Sequence, residues 1–308
     1  MFQESDIITC NSYKPLCDYV YQIGSKVPEG LVHVNIEEIP TFFKEIEKYP
    51  KRKYVIVSSC SDYGLCEQKY FPPWKDIPKW ANMMCGPDLG YQGVQIESRV
   101  NLEKCNERDK YSIKCYAHTR ETFNEIPKNV IKWFMTNAAL YDDRIISIPF
   151  GAAPNKEKIL AGRKSNHTNL LYINYSNTTF DRVEYLRNFV KKTTQGLLVQ
   201  KWVTYSKEKP YEDYLKDLEK HTFVLSPPGN GLDCYRTWES IYCGSIPIVG
   251  MTHLNHAWND VNLLLCENFH QINQRSLEEV KGKFVFSNDV ARLGYWKDEF
   301  NKARKQLR

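Results

Sequence analysis

The sequence of 308 residues lacks most of the short motifs that would assign a function directly. It has no Asp-x-Asp pair, no Cys-x-x-Cys among its ten cysteines and no run of 18 apolar residues. Its net charge of +5 arises from 42 basic and 37 acidic residues without a long basic block. These absences argue against a zinc framework, a membrane-spanning helix and a dedicated nucleic-acid binder.

Length and composition indicate two domains. With 42% hydrophobic residues, the chain can fill the cores of two domains of about 150 residues each. The first ten residues contain neither a basic segment nor a long apolar run, which is untypical of a signal peptide. We therefore expect a cytoplasmic protein with reduced cysteines, and a disulfide in the first domain is the alternative.

Strand and helix patterns alternate over the first half of the chain. Residues 54–59 are apolar enough for a fully buried parallel strand, and residues 37–48 form an amphipathic helix pattern. Further strands are predicted at 31–36, 94–100, 111–117, 130–137 and 144–149. The alternation predicts a Rossmann-like α/β domain over residues 1–154.

The second half repeats this alternation after a polar connection over residues 155–169. Strands are predicted at 170–174, 197–203, 223–226, 246–249 and 261–266, and helices from about 179, at 211–219 and from about 233. The pattern predicts a second Rossmann-like domain over 155–287. Residues 288–308 follow it as a charged amphipathic helix.

The most informative stretch is the strand–loop–helix–strand unit over residues 223–249. Its loop contains Gly229 and Gly231, which let a backbone approach a phosphate closely. Asp233 is the expected N-cap of the helix that follows. The unpaired N–H groups of that helix's first turn would point towards an anion.

Arg236 and Glu239 lie three residues apart on this helix. An arginine suits pyrophosphate oxygens, and a carboxylate suits the ribose 2′ and 3′ hydroxyls, so the pair fits a nucleotide diphosphate. A surface ion pair beside a plain turn is the alternative.

The stretch Ser-Pro-x-Gly-x-Gly-x-Asp-x-x-Arg-x-x-Glu, followed by Gly-x-Ile-Pro-Ile, resembles the donor-nucleotide motif of exostosin-like GT-B glycosyltransferases. It is especially similar to that of small glycosyltransferases of large DNA viruses such as the chloroviruses. The resemblance implies that Gly229, Gly231 and Arg236 hold the diphosphate of a sugar nucleotide and that Glu239 holds its ribose. Ser226 and Asn230 would be further loop contacts.

The same resemblance implies two Rossmann-like domains that face each other across a cleft. Residues 1–154 would form the acceptor side and 155–287 the donor side, while the helix over 288–308 would return to the first domain. The expected substrates are a nucleotide-sugar donor, with UDP-xylose as the leading candidate, and a glycan acceptor that a glycoprotein could carry. No cofactor, nucleic acid or membrane span is expected.

Because the sequence has no Asp-x-Asp motif, we expect transfer to be metal-independent, and we expect it to invert the configuration of the anomeric carbon. Arg236 and the helix amides would then stabilise the leaving diphosphate electrostatically. Arg182 is a second phosphate candidate or else a helix-surface arginine. Thr204 and Tyr205 lie where the nucleobase would stack.

An inverting transferase needs a general base on the acceptor side. Asp62 is the first candidate because it follows the best buried strand, and His118 is the second. The alternatives are that Asp62 is an ordinary turn residue and that His118 has a structural role. Two other protein classes compete with a transferase: a catalytically silent sugar-nucleotide or glycan-binding module, and an oxidoreductase or another nucleotide enzyme with a Rossmann fold. Gly229-Asn-Gly231 lacks the third glycine that the oxidoreductase needs.

Overall fold

A computed structural model describes residues 1–67, 110–115, 118–140, 142–175, 200–250, 261–266, 269, 272–284 and 287–307. The predicted strand over 94–100, the helix predicted from about 179 and Arg182 lie outside these residues.

The chain forms two compact units. The N-terminal unit comprises Tyr13–Ile148, Asn230–Leu232 and Lys302–Arg308. The C-terminal unit comprises Met1–Ser12, Pro149–Gly229 and Asp233–Asn301. The domain boundaries expected from the sequence stay predictions.

The N-terminal unit is built on a parallel sheet. In chain order its elements are β1 (Tyr19–Val20), β2 (Gly30–His33), α1 (Ile39–Ile46), β3 (Tyr54–Ser58), β4 (Gly64–Glu67), β5 (Tyr111–Cys115), β6 (His118–Phe123), β7 (Val130–Met135) and β8 (Ile145–Ser147). The parallel sheet has the order β1-β2-β3-β7-β8, and β4-β5-β6 form a small antiparallel sheet. All five residues of β3 are buried and both neighbouring strands are parallel to it, which confirms the fully buried parallel strand predicted at 54–59.

Helix α1 covers one side of the core of this unit with the apolar residues Ile39, Phe42, Phe43 and Ile46, all of them buried. The helix was predicted to begin at Glu37, whereas residues Ile36–Glu38 form a 3-10 turn instead. Pro40 lies in the first turn of α1, where the N–H that proline lacks would have no helical acceptor.

The C-terminal unit carries the second parallel sheet. In chain order its elements are α2 (Glu157–Leu160), β9 (Asn169–Ile173), β10 (Val203–Tyr205), α3 (Tyr211–Lys220), β11 (His221–Leu225), α4 (Tyr235–Tyr242), β12 (Ile246–Gly250), β13 (Leu264–Cys266), α5 (Gln274–Val280) and α6 (Leu293–Lys305), the last belonging to this unit as far as Asn301. Among the described strands the order is β10-β9-β11-β12-β13, all parallel. Parallel sheets with intervening helices confirm the α/β class and are consistent with Rossmann-like folding.

Residues 197–199 of the strand predicted at 197–203 lie outside the described residues, and residues 200–202 form a turn instead of a strand. Val203 N donates to Gln200 O at 3.0 Å, which closes a turn over the residues before the strand. Pairing with β9 therefore covers only Val203–Tyr205. Thr204 and Tyr205 still lie at the carboxyl end of this strand, as predicted.

The first twelve residues belong to the C-terminal unit and are anchored by Tyr242 at the end of α4. The Tyr242 hydroxyl accepts a hydrogen bond from Ile8 N at 3.0 Å and donates one to Ala291 O at 3.0 Å. Its ring packs edge-on against Phe2, with 4.9 Å between the centroids. Arg292 adds an ion pair to Asp6 at 2.6 Å. Within the described ranges, no helix is long and apolar enough to cross a membrane.

Gly151 gives a test of this packing. Its φ is +79°, and an added Cβ would lie 2.5 Å from Ile8 O. Gly162 has a similar φ of +72° with open space around it, so Gly162→Ala is the matched control. We expect Gly162→Ala to cost about 1–2 kcal/mol for the left-handed conformation and Gly151→Ala to cost about 1–3 kcal/mol more because the backbone must shift. Urea unfolding measures both, and equal losses would contradict the close contact.

Candidate functional site

The candidate site lies at the carboxyl edge of the sheet in the C-terminal unit. From β9 the chain continues to β10 on one side, whereas β11, β12 and β13 follow on the other side. Such a reversal of strand order opens a crevice in which α/β sheets bind ligands. Tyr175 follows β9 and Ser226 follows β11, so both lie at this crevice.

Ser226 fastens the loop to the helix that follows it. Its buried hydroxyl is hydrogen-bonded to Thr237 Oγ1 at 2.9 Å and lies 3.4 Å from Cys234 Sγ. Ser226 N donates to Ile248 O of β12 at 2.9 Å. The Ser226 side chain, which was predicted to contact the nucleotide sugar, thus makes hydrogen bonds within the loop and the first turn of α4.

The prediction that Asp233 caps α4 is wrong. Cys234 is the N-cap, in extended conformation, and makes no side-chain capping bond. Asp233 lies one residue upstream with its carboxylate buried, and it accepts hydrogen bonds from Phe150 N at 2.7 Å, Trp238 Nε1 at 2.8 Å and Cys234 N at 2.8 Å. A carboxylate that meets an indole N–H and a distant backbone N–H is drawn into the core and away from the capping position.

Arg236 has hydrogen-bonding capacity left over. Its Nε is buried, and no hydrogen-bond partner for it exists within the described part of the chain. Its guanidinium carbon lies 5.7 Å from the centroid of the Tyr175 ring, at the end of β9. A planar cation with an unused donor, next to the crevice, is suited to bind a phosphate or carboxylate.

Glu239 is buried, with only 4% of its surface exposed. Its Oε1 accepts hydrogen bonds from the Tyr211 hydroxyl at 2.9 Å and from Ala153 N at 3.3 Å. Burial raises the pKa of Glu239, while these donors, the charge of Arg236 and the hydroxyl of Tyr214 act in the opposite direction. The predicted pair therefore consists of a half-buried arginine and a carboxylate that is already held by the protein.

Thr204 and Tyr205 have different environments. The Thr204 hydroxyl lies 2.7 Å from Nε2 of the buried His221, whose ring stacks on Tyr172 at 4.9 Å between centroids. Tyr205 is among the exposed aromatic residues. Of these two, Tyr205 offers the accessible ring that stacking on a base requires.

Asp62 belongs to the N-terminal unit, and so does Asn230 of the glycine loop. The exposed Asp62 carboxylate accepts a hydrogen bond from Asn230 Nδ2 at 3.2 Å. Gly231 approaches the same region, since an added Cβ would lie 2.7 Å from Asn137 Nδ2 and 3.0 Å from Asp62 O. His118 begins β6, but its side chain lies outside the described parts, as does Arg182.

Residues 149–299 match the family model of the RXYLT1 C-terminal domain. This RXYLT1-like region is just under half of the chain and contains Arg236, Glu239 and every other described candidate of the C-terminal unit. It supports a xylosyltransferase-type glycosyltransferase at the level of the family. Asp62 and His118 lie outside it. The comparison with curated proteins gave no match.

Sequence reasoning missed three contributors in the RXYLT1-like region: Tyr175, Tyr211 and the backbone N–H of Ala153. The sequence predicted Tyr211 only as the first residue of the helix over 211–219. No spacing in the sequence links it to Glu239, because the two residues meet only after α3 and α4 have packed. Neither does a motif reveal a backbone donor 86 residues away from its acceptor.

The buried Asp233 predicts an unusual pH dependence of stability. Burial raises the pKa of Asp233 from 3.8 to about 7. Because the folded state holds this proton more tightly than the unfolded state, the contribution of Asp233 to the free energy of unfolding falls as the pH rises from about 4 to about 7. In Asp233→Asn this part of the decline should disappear.

Urea unfolding across this pH range measures the effect. Asp213→Asn is the matched control, because Asp213 lies on α3 with an exposed side chain paired to Lys216. A slope that Asp233→Asn leaves unchanged would contradict the raised pKa.

Proposed function

We propose that this protein is a metal-independent, inverting GT-B glycosyltransferase that transfers xylose from UDP-xylose to a hydroxyl of a glycan. Support for the transferase class comes from the RXYLT1-like region, and support for the donor site comes from the geometry of Arg236. Two units with parallel sheets are consistent with GT-B architecture. The viral relationship, the cytoplasmic location and the roles of the two domains stay predictions.

The unused Nε–H of Arg236 is the observation that carries the proposal. A buried N–H without an acceptor costs about 1–3 kcal/mol, so a bound anion would relieve a penalty that the unliganded site carries. The crevice between β9 and β11 is where such an anion would bind, with Tyr175 on one side of the guanidinium. The nucleotide diphosphate fits this chemistry because Arg236 would bind its phosphate oxygens through charged hydrogen bonds.

The reaction follows from these groups. The oxygen of the acceptor hydroxyl attacks the anomeric carbon of xylose, and the bond between that carbon and the phosphate oxygen breaks. UDP leaves with both phosphates, and Arg236 stabilises the negative charge that develops on it. The general base takes the hydroxyl proton. Asp62 is proposed for this role because its carboxylate is exposed and belongs to the N-terminal unit.

Metal independence rests on the sequence and on Arg236. The sequence has no Asp-x-Asp pair, and Asp142 of the Asp142-Asp143 pair is engaged by Arg144 at 3.2 Å. A transferase that uses an arginine for charge stabilisation should keep its activity in EDTA.

Removal of the Arg236 guanidinium should strongly reduce donor turnover. Release of nucleotide diphosphate is measured with UDP-xylose, UDP-glucose, UDP-galactose, UDP-GlcNAc, GDP-fucose and GDP-mannose, each with and without EDTA. We expect release from one donor, resistance to EDTA and a loss of about 10²–10³-fold in Arg236→Ala. Arg236→Lys should recover little, because a point charge cannot replace a planar fork.

Arg275→Ala is the matched control, since Arg275 is an exposed helix arginine paired to Glu279. Turnover in Arg236→Ala that equals that of the wild type would overturn the donor site. Binding of UDP without turnover of any donor in the wild-type protein would favour a binding module over an enzyme.

Asp62→Asn tests the base separately. We expect kcat to fall about 10²–10⁴-fold, with unchanged UDP affinity, because the amide cannot take a proton and the donor site is intact. Asp143→Asn is the control, since Asp143 is another exposed aspartate of the N-terminal unit. Equal kcat in the wild type and Asp62→Asn would remove Asp62 from the mechanism.

A further inference from the structure

Tyr211 contacts the candidate site without belonging to the recognised motif. It is the first residue of α3, and its hydroxyl donates to Glu239 Oε1 at 2.9 Å. Ala153 N donates to the same oxygen at 3.3 Å. Two donors on one oxygen prevent the carboxylate group from rotating, because any rotation would break both hydrogen bonds in a buried site.

The ring of Tyr211 is itself held in place. Lys156 Nζ lies 4.6 Å from its centroid, and the Tyr214 ring lies 6.0 Å away in a tilted arrangement. A cation over an aromatic face is attracted by the ring quadrupole. The direction of the hydroxyl is therefore fixed by contacts on both the ring and the oxygen.

The orientation of Glu239 matters because its carboxylate can accept hydrogen bonds from two vicinal hydroxyls only when it faces both of them. We propose that Tyr211 is a positioning residue of the donor site, which holds Glu239 in the orientation that accepts hydrogen bonds from the ribose hydroxyls. The inference rests on the proposed function, because it takes Glu239 as the ribose acceptor. It assigns Tyr211 no direct contact with the reacting atoms.

Deletion of the hydroxyl tests this role. Tyr211→Phe keeps the ring and its contact with Lys156, so the packing of α3 is preserved. Calorimetry measures the affinity for UDP and for 2′,3′-dideoxy-UDP. We expect Tyr211→Phe to bind UDP roughly tenfold more weakly and dideoxy-UDP as tightly as the wild type does, since only UDP has hydroxyls for Glu239.

Two further variants serve as references for this comparison. Glu239→Gln should show the same selective loss for UDP, because it alters the acceptor itself. Tyr49→Phe is the matched control, since Tyr49 is an exposed tyrosine of the N-terminal unit. It should leave both affinities unchanged.

The pH profile gives a second readout. The groups that act on Glu239 are the hydroxyls of Tyr211 and Tyr214, the N–H of Ala153 and the charge of Arg236. Without the Tyr211 donor, the pKa of Glu239 rises further, so the carboxylate becomes protonated at a higher pH. UDP affinity should then begin to fall at a higher pH in Tyr211→Phe than in the wild type as the pH is lowered.

Equal weakening of UDP and dideoxy-UDP in Tyr211→Phe would show a structural role and overturn the inference. Unchanged UDP affinity in this variant would also overturn it. A wild-type protein that binds neither UDP nor GDP would overturn the proposed function itself, which separates the two failures.

Discussion

Two buried carboxylates hold the segment around residue 150, where the chain returns to the C-terminal unit. Asp233 accepts a hydrogen bond from Phe150 N, and Glu239 accepts one from Ala153 N. A carboxylate removed from water costs several kcal/mol unless donors surround it, so these positions must be matched to the backbone around residue 150. The first twelve residues depend on the same segment, because Ala152 N donates to Ile8 O and Thr9 pairs with Ala152 in a parallel bridge.

Helix α4 thereby combines two tasks. Trp238 and Tyr242 are almost fully buried, and with Asp233 and Glu239 they fix the helix in the core. Arg236 has a donor to spare at the crevice beside Tyr175. A rigid helix that presents one such cation is better suited to bind a phosphate than a mobile side chain would be, because less rotamer entropy is lost on binding.

The parts of the fold that follow from local patterns could be predicted. The buried run of β3, the amphipathic face of α3 and the strand–loop–helix unit around α4 all lie where the sequence places them. Periodicity and apolar runs suffice for such elements, because each is determined by its own residues. The start of β10 was misplaced because a turn closed by Val203 N, rather than apolar character, decides where pairing begins.

The candidate site was predictable only in part. The sequence by itself determined that Arg236 and Glu239 share one region of a helix after a glycine loop, since a spacing of three residues fixes that geometry. Only the tertiary structure decided that Asp233 is buried and accepts a hydrogen bond from Phe150 N, and that Tyr211 and Ala153 N donate hydrogen bonds to Glu239. Phe150, Tyr211 and Ala153 lie 28 to 86 residues from the carboxylates to which they donate, and such contacts depend on how α3, α4 and the segment around residue 150 pack together.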